Sequence, residues 1–310
     1  MQFAMDLFHQ RTDHPGTPRA VCTVAMLSTF GKVRYDPPIP RTGRSRSLRQ
    51  TTPGGWHMEL KDRVVLVTGI AHGIGRSIAE GADALGAKVY GADVLAPDVA
   101  EAAKRWPGEG RMRVLDVTDA AGWNAWVADV LEREGRIDGL VNCAGGVAGQ
   151  VHQDVDNVSD ADWHRVLEIN LTGSFYGIRA VAPAMKKQKG GAIVNISSGA
   201  GRSASLTGIQ AYTSAKAGQL GLTRQMAQEL GRYGVRVNAI CPGFVRSNPT
   251  TEKQWEAMGE DGQKALVERI PLRRLGRADD IADMTLVFLS DMSRYVTGQV
   301  LSVDGGLQLF

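Results

Sequence analysis

The chain is poor in cysteine, with Cys22, Cys143 and Cys241 scattered through 310 residues at none of the spacings that metal sites use. An odd and scattered set argues against a disulfide framework and a metal site, and makes a reducing cytoplasm the expected compartment. Long apolar runs are also missing. None approaches the roughly eighteen residues that a membrane span needs, so no membrane partner is expected. Charge of one sign is missing as well, since 36 Lys/Arg stand against 33 Asp/Glu. Residues 1–57 hold eight of those basic residues and three of the acidic ones, which leaves 28 and 30 for the remainder. The main body is near neutral and offers no basic face to nucleic acid.

Composition is otherwise that of an ordinary globular chain, 43% hydrophobic and 22% charged. Residues 1–57 differ from the rest of the chain. Their stretch YDPPIPRTGRSRSLRQTTPGG, rich in Pro, Gly, Ser and Arg, has no sustained helical or strand period and reads as an extension of low order. An Arg- and Ser-rich, acid-poor leader also fits an organelle transit peptide. Met58 opens MELKDRVVLVTG, which reads like a natural start, so the expectation is a 1–57 extension without a catalytic role and one domain over 58–310.

From Met58 short β-branched runs alternate with helical segments. The strand candidates are RVVLVTG, AKVYGAD, MRVLDV, DGLVNCAG, GGAIVNISS, VRVNAICPG and QVLSVDGG. The fourth precedes a long helix from about Asp160, and the fifth precedes a helix carrying Tyr212. Strands apolar throughout and separated by helices predict an α/β fold, a doubly wound Rossmann-type domain with a seven-stranded parallel sheet.

Three features carry chemistry. T-G-I-A-H-G-I-G (Thr68–Gly75) lies between the first strand and the first helix. Glycines at 69, 73 and 75 allow a tight turn and admit a pyrophosphate to the helix N-terminus. Asp93 ends the second strand, where a carboxylate accepts ribose hydroxyls and repels a 2′-phosphate, so NAD is expected over NADP. Tyr212 and Lys216, four apart in A-Y-T-S-A-K-A-G, share one helical face.

Together these and further motifs resemble the short-chain dehydrogenase/reductase family from Met58 to the C-terminus. The family's N-A-G element matches Asn142, Ala144 and Gly145, with Cys143 between. Asp116-Val117 resembles the pair that holds the adenine, and Pro242-Gly243 with Val245 and Ser247 resembles the segment that receives the nicotinamide carboxamide. Asn170, Ser198, Tyr212 and Lys216 match the catalytic set, and His72 and Ile74 fall inside the glycine motif. Ser198 lies fourteen residues before Tyr212, where many relatives have thirteen, and Ser197 remains a second candidate. Ser247 stands where threonine is common.

The resemblance implies interconversion of a secondary alcohol and a ketone. Tyr212 is the general acid/base, with Lys216 and the oxidised nicotinamide lowering its pKa. Lys216 also holds the nicotinamide ribose, Ser198 the substrate oxygen, and Asn170 a water linking Lys216 to solvent. A homotetramer is implied too. Two alternatives stand beside this reading: an NADPH-dependent 3-oxoacyl-carrier-protein reductase, and a nucleotide sensor or scaffold without turnover, against which all four catalytic positions are kept. Lesser expectations concern a packing or interface role for Trp163 and Phe175, inert buried thiols at Cys143 and Cys241, and a loop His152 near the substrate entrance that is either solvated or in contact with substrate. MKKQK (185–189) reads as a solvated helix end, with attraction of an acidic carrier protein as the alternative. The stretch after Pro242-Gly243 is expected to form a lid, with Trp255 and Met258 either lining an apolar pocket or packing the lid.

Overall fold

The computed structural model describes residues 58–308 with Glu109 excepted. The expected 1–57 extension lies outside the described residues. Strands and helices alternate from Val64. β1 (Val64–Thr68) leads to α1 (Gly73–Ala84), β2 (Lys88–Asp93) to α2 (Ala96–Arg105), and β3 (Met112–Val114) to α3 (Ala120–Glu134). β4 (Gly139–Asn142) precedes α4 (Asp160–Leu167) and α5 (Gly173–Gln188), and β5 (Gly191–Ile196) precedes α6 (Gln210–Leu230). β6 (Val235–Pro242) is followed by α7 (Pro249–Ala257), α8 (Gly259–Arg269), α9 (Ala278–Leu289) and the closing β7 (Val300–Val303).

The seven strands form one parallel sheet in the order β3-β2-β1-β4-β5-β6-β7. Every residue of β1, VVLVT, is buried, as a strand without polar alternation requires when both faces are covered. On one face α1 and α9 pack through Ile78, Ala82, Ile281 and Leu286. On the other, Trp123, Trp126, Ile178 and Val181 fill the space under α3 and α5, with the two indole rings 5.4 Å apart. Each large side chain so buried contributes roughly 1.5–3 kcal/mol. Strand order reverses between β1 and β4, and that switch point opens a crevice at the carboxyl ends of the strands.

Two elements differ from the sequence reading. The third strand ends at Val114, because Asp116 turns the chain by accepting from the Thr118 backbone and hydroxyl (2.9 and 2.8 Å) and Asp119 then caps α3. The long helix from Asp160 is interrupted by a π turn at Glu168–Thr172. Asn170 lies in it, and its carbonyl accepts from the Ser174 hydroxyl at 3.1 Å. Such insertions recur at functional sites.

Candidate active site

The loop from Gly69 to Gly75 forms a cradle at the carboxyl end of β1. Gly69 and Gly73 have φ of +76° and +61°, in the left-handed region that favours glycine. A Cβ at Gly75 would lie 2.1 Å from the Gly69 carbonyl oxygen, so α1 starts against the loop only because that side chain is absent. His72 caps α1 without a side-chain hydrogen bond, and the first turn carries no acidic residue. The first N–H groups of α1 are thus left for an anion. Thr68 Oγ1 accepts from Cys143 N and Ala144 N, both at 3.1 Å, and so ties the cradle to the N-C-A-G segment. Asp93 accepts from Ala71 N at 3.0 Å and Leu95 N at 3.2 Å, which fixes its carboxylate beside the cradle. These features fit a dinucleotide.

Most of the expected site residues line one cleft of about 650 Å³; Asp93, Asp116, Val117, Asn142 and Asn170 do not. Asp116 is engaged in its own turn, and the Val117 carbonyl accepts from the Trp123 indole at 3.0 Å. Asn142 departs most from the expectation. Its amide donates to Asn195 at 2.8 Å, and Asn195 donates to Thr223 at 2.9 Å, so the side chain belongs to a buried polar chain between the central strands β4 and β5 and α6. Ala144 and Gly145 do face the cleft, as do Pro242, Gly243, Val245 and Ser247. Ser247 N donates to Thr251 Oγ1 at 3.0 Å, which starts α7 directly after the strand end.

Helix α6 and the end of β5 bring Ser198, Tyr212 and Lys216 together. Lys216 Nζ donates to the Ile196 carbonyl at 2.9 Å and stands 5.7 Å from the centre of the Tyr212 ring. The two serines have different surroundings. Ser197 is buried and commits its hydroxyl proton to the Lys216 carbonyl at 3.0 Å, whereas Ser198 lines the cleft with Tyr212 and accepts from Ala200 N at 3.1 Å. Asn170 is fully buried, donating to the Gly146 and Val166 carbonyls (2.8 and 2.9 Å) and accepting from Gly146 N at 3.0 Å. A Cβ at Gly145 would lie 2.7 Å from Asn170 Oδ1 and 3.3 Å from Lys216 Nζ, so these two groups flank one glycine.

The protein groups by themselves do not lower the Tyr212 pKa, and the oxidised nicotinamide is the other half of that expectation. Burial pushes the phenol above its usual range, and Ser198 only opposes that rise. Burial also brings Lys216 down to about 8, which weakens the cation meant to favour phenolate. Cys143 lines the cleft instead of being fully buried, but desolvation raises its thiol to about 12 and leaves it a poor nucleophile.

Other expectations fall on the packing side. His152 lies outside the cleft lining and is hydrogen-bonded through Nδ1 to the Gly208 carbonyl at 3.1 Å, joining two loops at the entrance. Trp255 packs on Phe244 with ring centres 6.0 Å apart, under the Arg246 guanidinium, and neither it nor Met258 lines the cleft. In MKKQK, Met185 is buried, Lys186 pairs with Glu229 at 3.3 Å and Gln188 holds the Ile137 carbonyl, so the segment has a structural role. Sequence reasoning missed the C-terminal wall, Asp304, Leu307 and Gln308, and the lid residues Thr250, Gln254 and Arg269. The closing VDGG was a signal for the wall, but no spacing rule connects it to Gly199, which Gln308 contacts at 3.0 Å.

The family model described as enoyl-(acyl carrier protein) reductase matches residues 69–308. The chain is 38% identical over 253 residues to a 3-oxoacyl-(acyl-carrier-protein) reductase of Thermotoga maritima, covering 81% of this chain and 99% of that one. It is 39% identical over 259 residues to trans-4-hydroxycyclohexanecarboxylate dehydrogenase of Sinomonas cyclohexanicum, covering 79% and 92%. The crystal structure of levodione reductase superposes with a TM-score of 0.70 at 35% identity, covering 79% of this chain and 97% of that one. Sequence, sheet order and cradle agree, and the chain belongs to the short-chain dehydrogenase/reductase family, nicotinamide-nucleotide oxidoreductases acting on CH–OH groups.

Proposed function

We propose that the protein interconverts a secondary alcohol and a ketone with NAD(H), and that Tyr212 is its general acid/base. The observation that carries this reading is the convergence of Ser198, Tyr212 and Lys216 on the same cleft as the glycine cradle. The nicotinamide, when bound, supplies the hydride acceptor or donor. In oxidation the hydroxyl proton goes to Tyr212 as the carbon–hydrogen bond gives up its hydride; in reduction Tyr212 returns a proton to the carbonyl oxygen. Ser198 orients the reacting oxygen from the same cleft that the Tyr212 phenol lines. Lys216 sits beside the phenol, and Asn170 acts through the Gly145-Gly146 backbone that it grips. Gly69, His72, Gly73, Ile74 and Gly75 form the pyrophosphate wall.

Preference for NAD rests on Asp93. Its carboxylate is held by two backbone N–H groups and stays available to ribose hydroxyls, where a 2′-phosphate would meet like charge. Phe175, 39% exposed and stacked with Arg179 on α5, supports burial of that helix face in a homotetramer. The free thiols of Cys143 and Cys241 agree with a reducing cytoplasm. Among the described residues no helix is long and apolar enough to cross a membrane. An NADPH-dependent 3-oxoacyl-carrier-protein reductase is the second reading, supported by the Thermotoga maritima relative. Calorimetry with NADH and NADPH separates the two. Tighter NADH binding is expected, with Asp93→Ala shifting the ratio toward NADPH by about tenfold, for the roughly 1–3 kcal/mol that hydrogen bonds to a charged group contribute. Tighter NADPH binding by the unaltered protein would sink the NAD assignment.

A further inference from the structure

The lid holds polar side chains that nothing in the described structure uses. Arg269 ends α8 and lines the cleft from that side while remaining exposed. It stands next to the C-terminal wall, since Leu272 N donates to Gly305 O at 3.1 Å and a Cβ at Gly305 would lie 2.7 Å from Ile270 Cγ2. Neighbouring arginines are all committed. Arg246 pairs with Glu252 at 2.7 Å, Arg274 with Asp280 at 2.6 Å, and Arg273 donates to the Glu268 carbonyl. Arg269 has no hydrogen bond or ion pair among the described residues, and the side chains of Gln254 and Thr250, which line the same cleft from α7, have none either.

The cleft does not neutralise this cation from within. Among the described residues Asp304 is the one carboxylate in its lining, and it forms no ion pair with Arg269, its oxygens accepting instead from Gly306 N at 2.9 Å and Gln308 N at 3.0 Å. The cradle, with its own free N–H groups, is the place for the cofactor's phosphates, whereas Arg269 belongs to the wall that α8 and the C-terminal segment make. A single guanidinium matches a carboxylate through two parallel N–H···O bonds, and a side-chain amide and a hydroxyl nearby add donors for the remaining lone pairs.

We infer that the substrate is a hydroxy acid or oxo acid whose carboxylate is bound by Arg269, with Gln254 and Thr250 as supporting donors. This assignment rests on the alcohol/ketone oxidoreductase reading and names its substrate class. Arg269 is then a specificity residue contributed by the lid, remote from the proton-transfer group. An ion pair at a solvent-facing position is screened by salt, so the selectivity for acids weakens as ionic strength rises.

The test uses the full chain and matched carbonyl pairs: acetoacetate, levulinate and 4-oxocyclohexanecarboxylate, each against its own neutral amide, with NADH consumption as the readout. At least one acid is expected to exceed its amide by about tenfold in kcat/KM, through KM, as a lost charged contact at a partly wet site implies. Arg269→Gln is expected to bring that acid-to-amide ratio close to one, and Arg269→Lys to restore part of it. Equal turnover of acids and amides, preference for the amides, or turnover of neutral ketones alone overturns the carboxylate assignment and leaves the oxidoreductase reading standing. Absence of turnover with every carbonyl compound, with NADH and NADPH alike, overturns both.

Discussion

The floor of the cleft and its lid are built on opposite terms. On the floor, Ser197, Lys216, Asn170 and Thr68 each hold a backbone group, and the glycines of the cradle touch neighbouring backbone so closely that a methyl group would collide. On the lid, Trp255 and Arg246 fix the helix from outside, while Thr250, Gln254 and Arg269 face the cleft with no partner among the described residues. A floor whose side chains are committed to backbone, and whose glycines leave no room, orients the reaction and tolerates little change. A lid of unsatisfied donors waits for a ligand and sets which one enters. Chemistry and selectivity are thus divided between the sheet edge and the segment after β6.

The largest expected break in this division comes from Tyr212→Phe, which removes the proposed proton carrier and leaves the cradle intact. Turnover is expected to fall by roughly 10²–10⁴-fold, with NADH affinity measured by calorimetry little changed. The unaltered enzyme sharpens the same point through pH. Oxidation needs the phenolate of a group held above its ordinary value, so kcat/KM for an alcohol is expected to climb through the alkaline range, whereas ketone reduction, which needs the phenol, does not climb. A flat oxidation profile in steady-state kinetics would count against Tyr212 as the base.

Gly75→Ala comes next. The added Cβ would meet the Gly69 carbonyl oxygen at 2.1 Å, and backbone cannot yield as a flexible side chain does. About 1–3 kcal/mol of stability is expected to be lost as overpacking, together with weakened NADH binding, both read by urea denaturation with and without NADH. A variant that kept both would show that the cradle is looser than the floor around it.

The smallest effect belongs to the support of the lid. Asp280 caps α9 and is held by Arg274 and by Arg277 N at 2.8 Å, and the guanidinium brings its carboxyl down to about 2. Because the folded value lies below the ordinary 3.8, the stabilisation is whole above that pH and is lost as pH falls toward 2. Asp280→Asn is expected to cost about 1 kcal/mol at neutral pH, a figure kept small by the pair's partial exposure. That difference is expected to shrink in acid; an unchanged midpoint in urea at neutral pH would remove the assignment.

Much of this molecule is legible in its sequence. All seven strands fall within the runs that predict them, and the inner ones are legible because a strand buried on both faces, such as β1, must be apolar throughout. The cradle and the Tyr212/Lys216 face are legible for the same kind of reason, since each depends on spacing within one element or one turn. Asn142 is not. It reads as part of the cofactor motif, yet its side chain turns inward to Asn195, a partner 53 residues away that no local pattern names.

Local chemistry in the sequence determined the elements, their order, the glycine turn and which helix carries Tyr212 and Lys216. Only the tertiary structure decided which serine commits its hydroxyl proton to the Lys216 carbonyl, in which direction burial moves Tyr212 and Lys216, and which lid side chains remain without partners among the described residues. Hydrogen-bond partners and desolvation are properties of groups brought together from distant parts of the chain. They come into being only when the sheet edge, the lid and the C-terminal wall enclose one cleft.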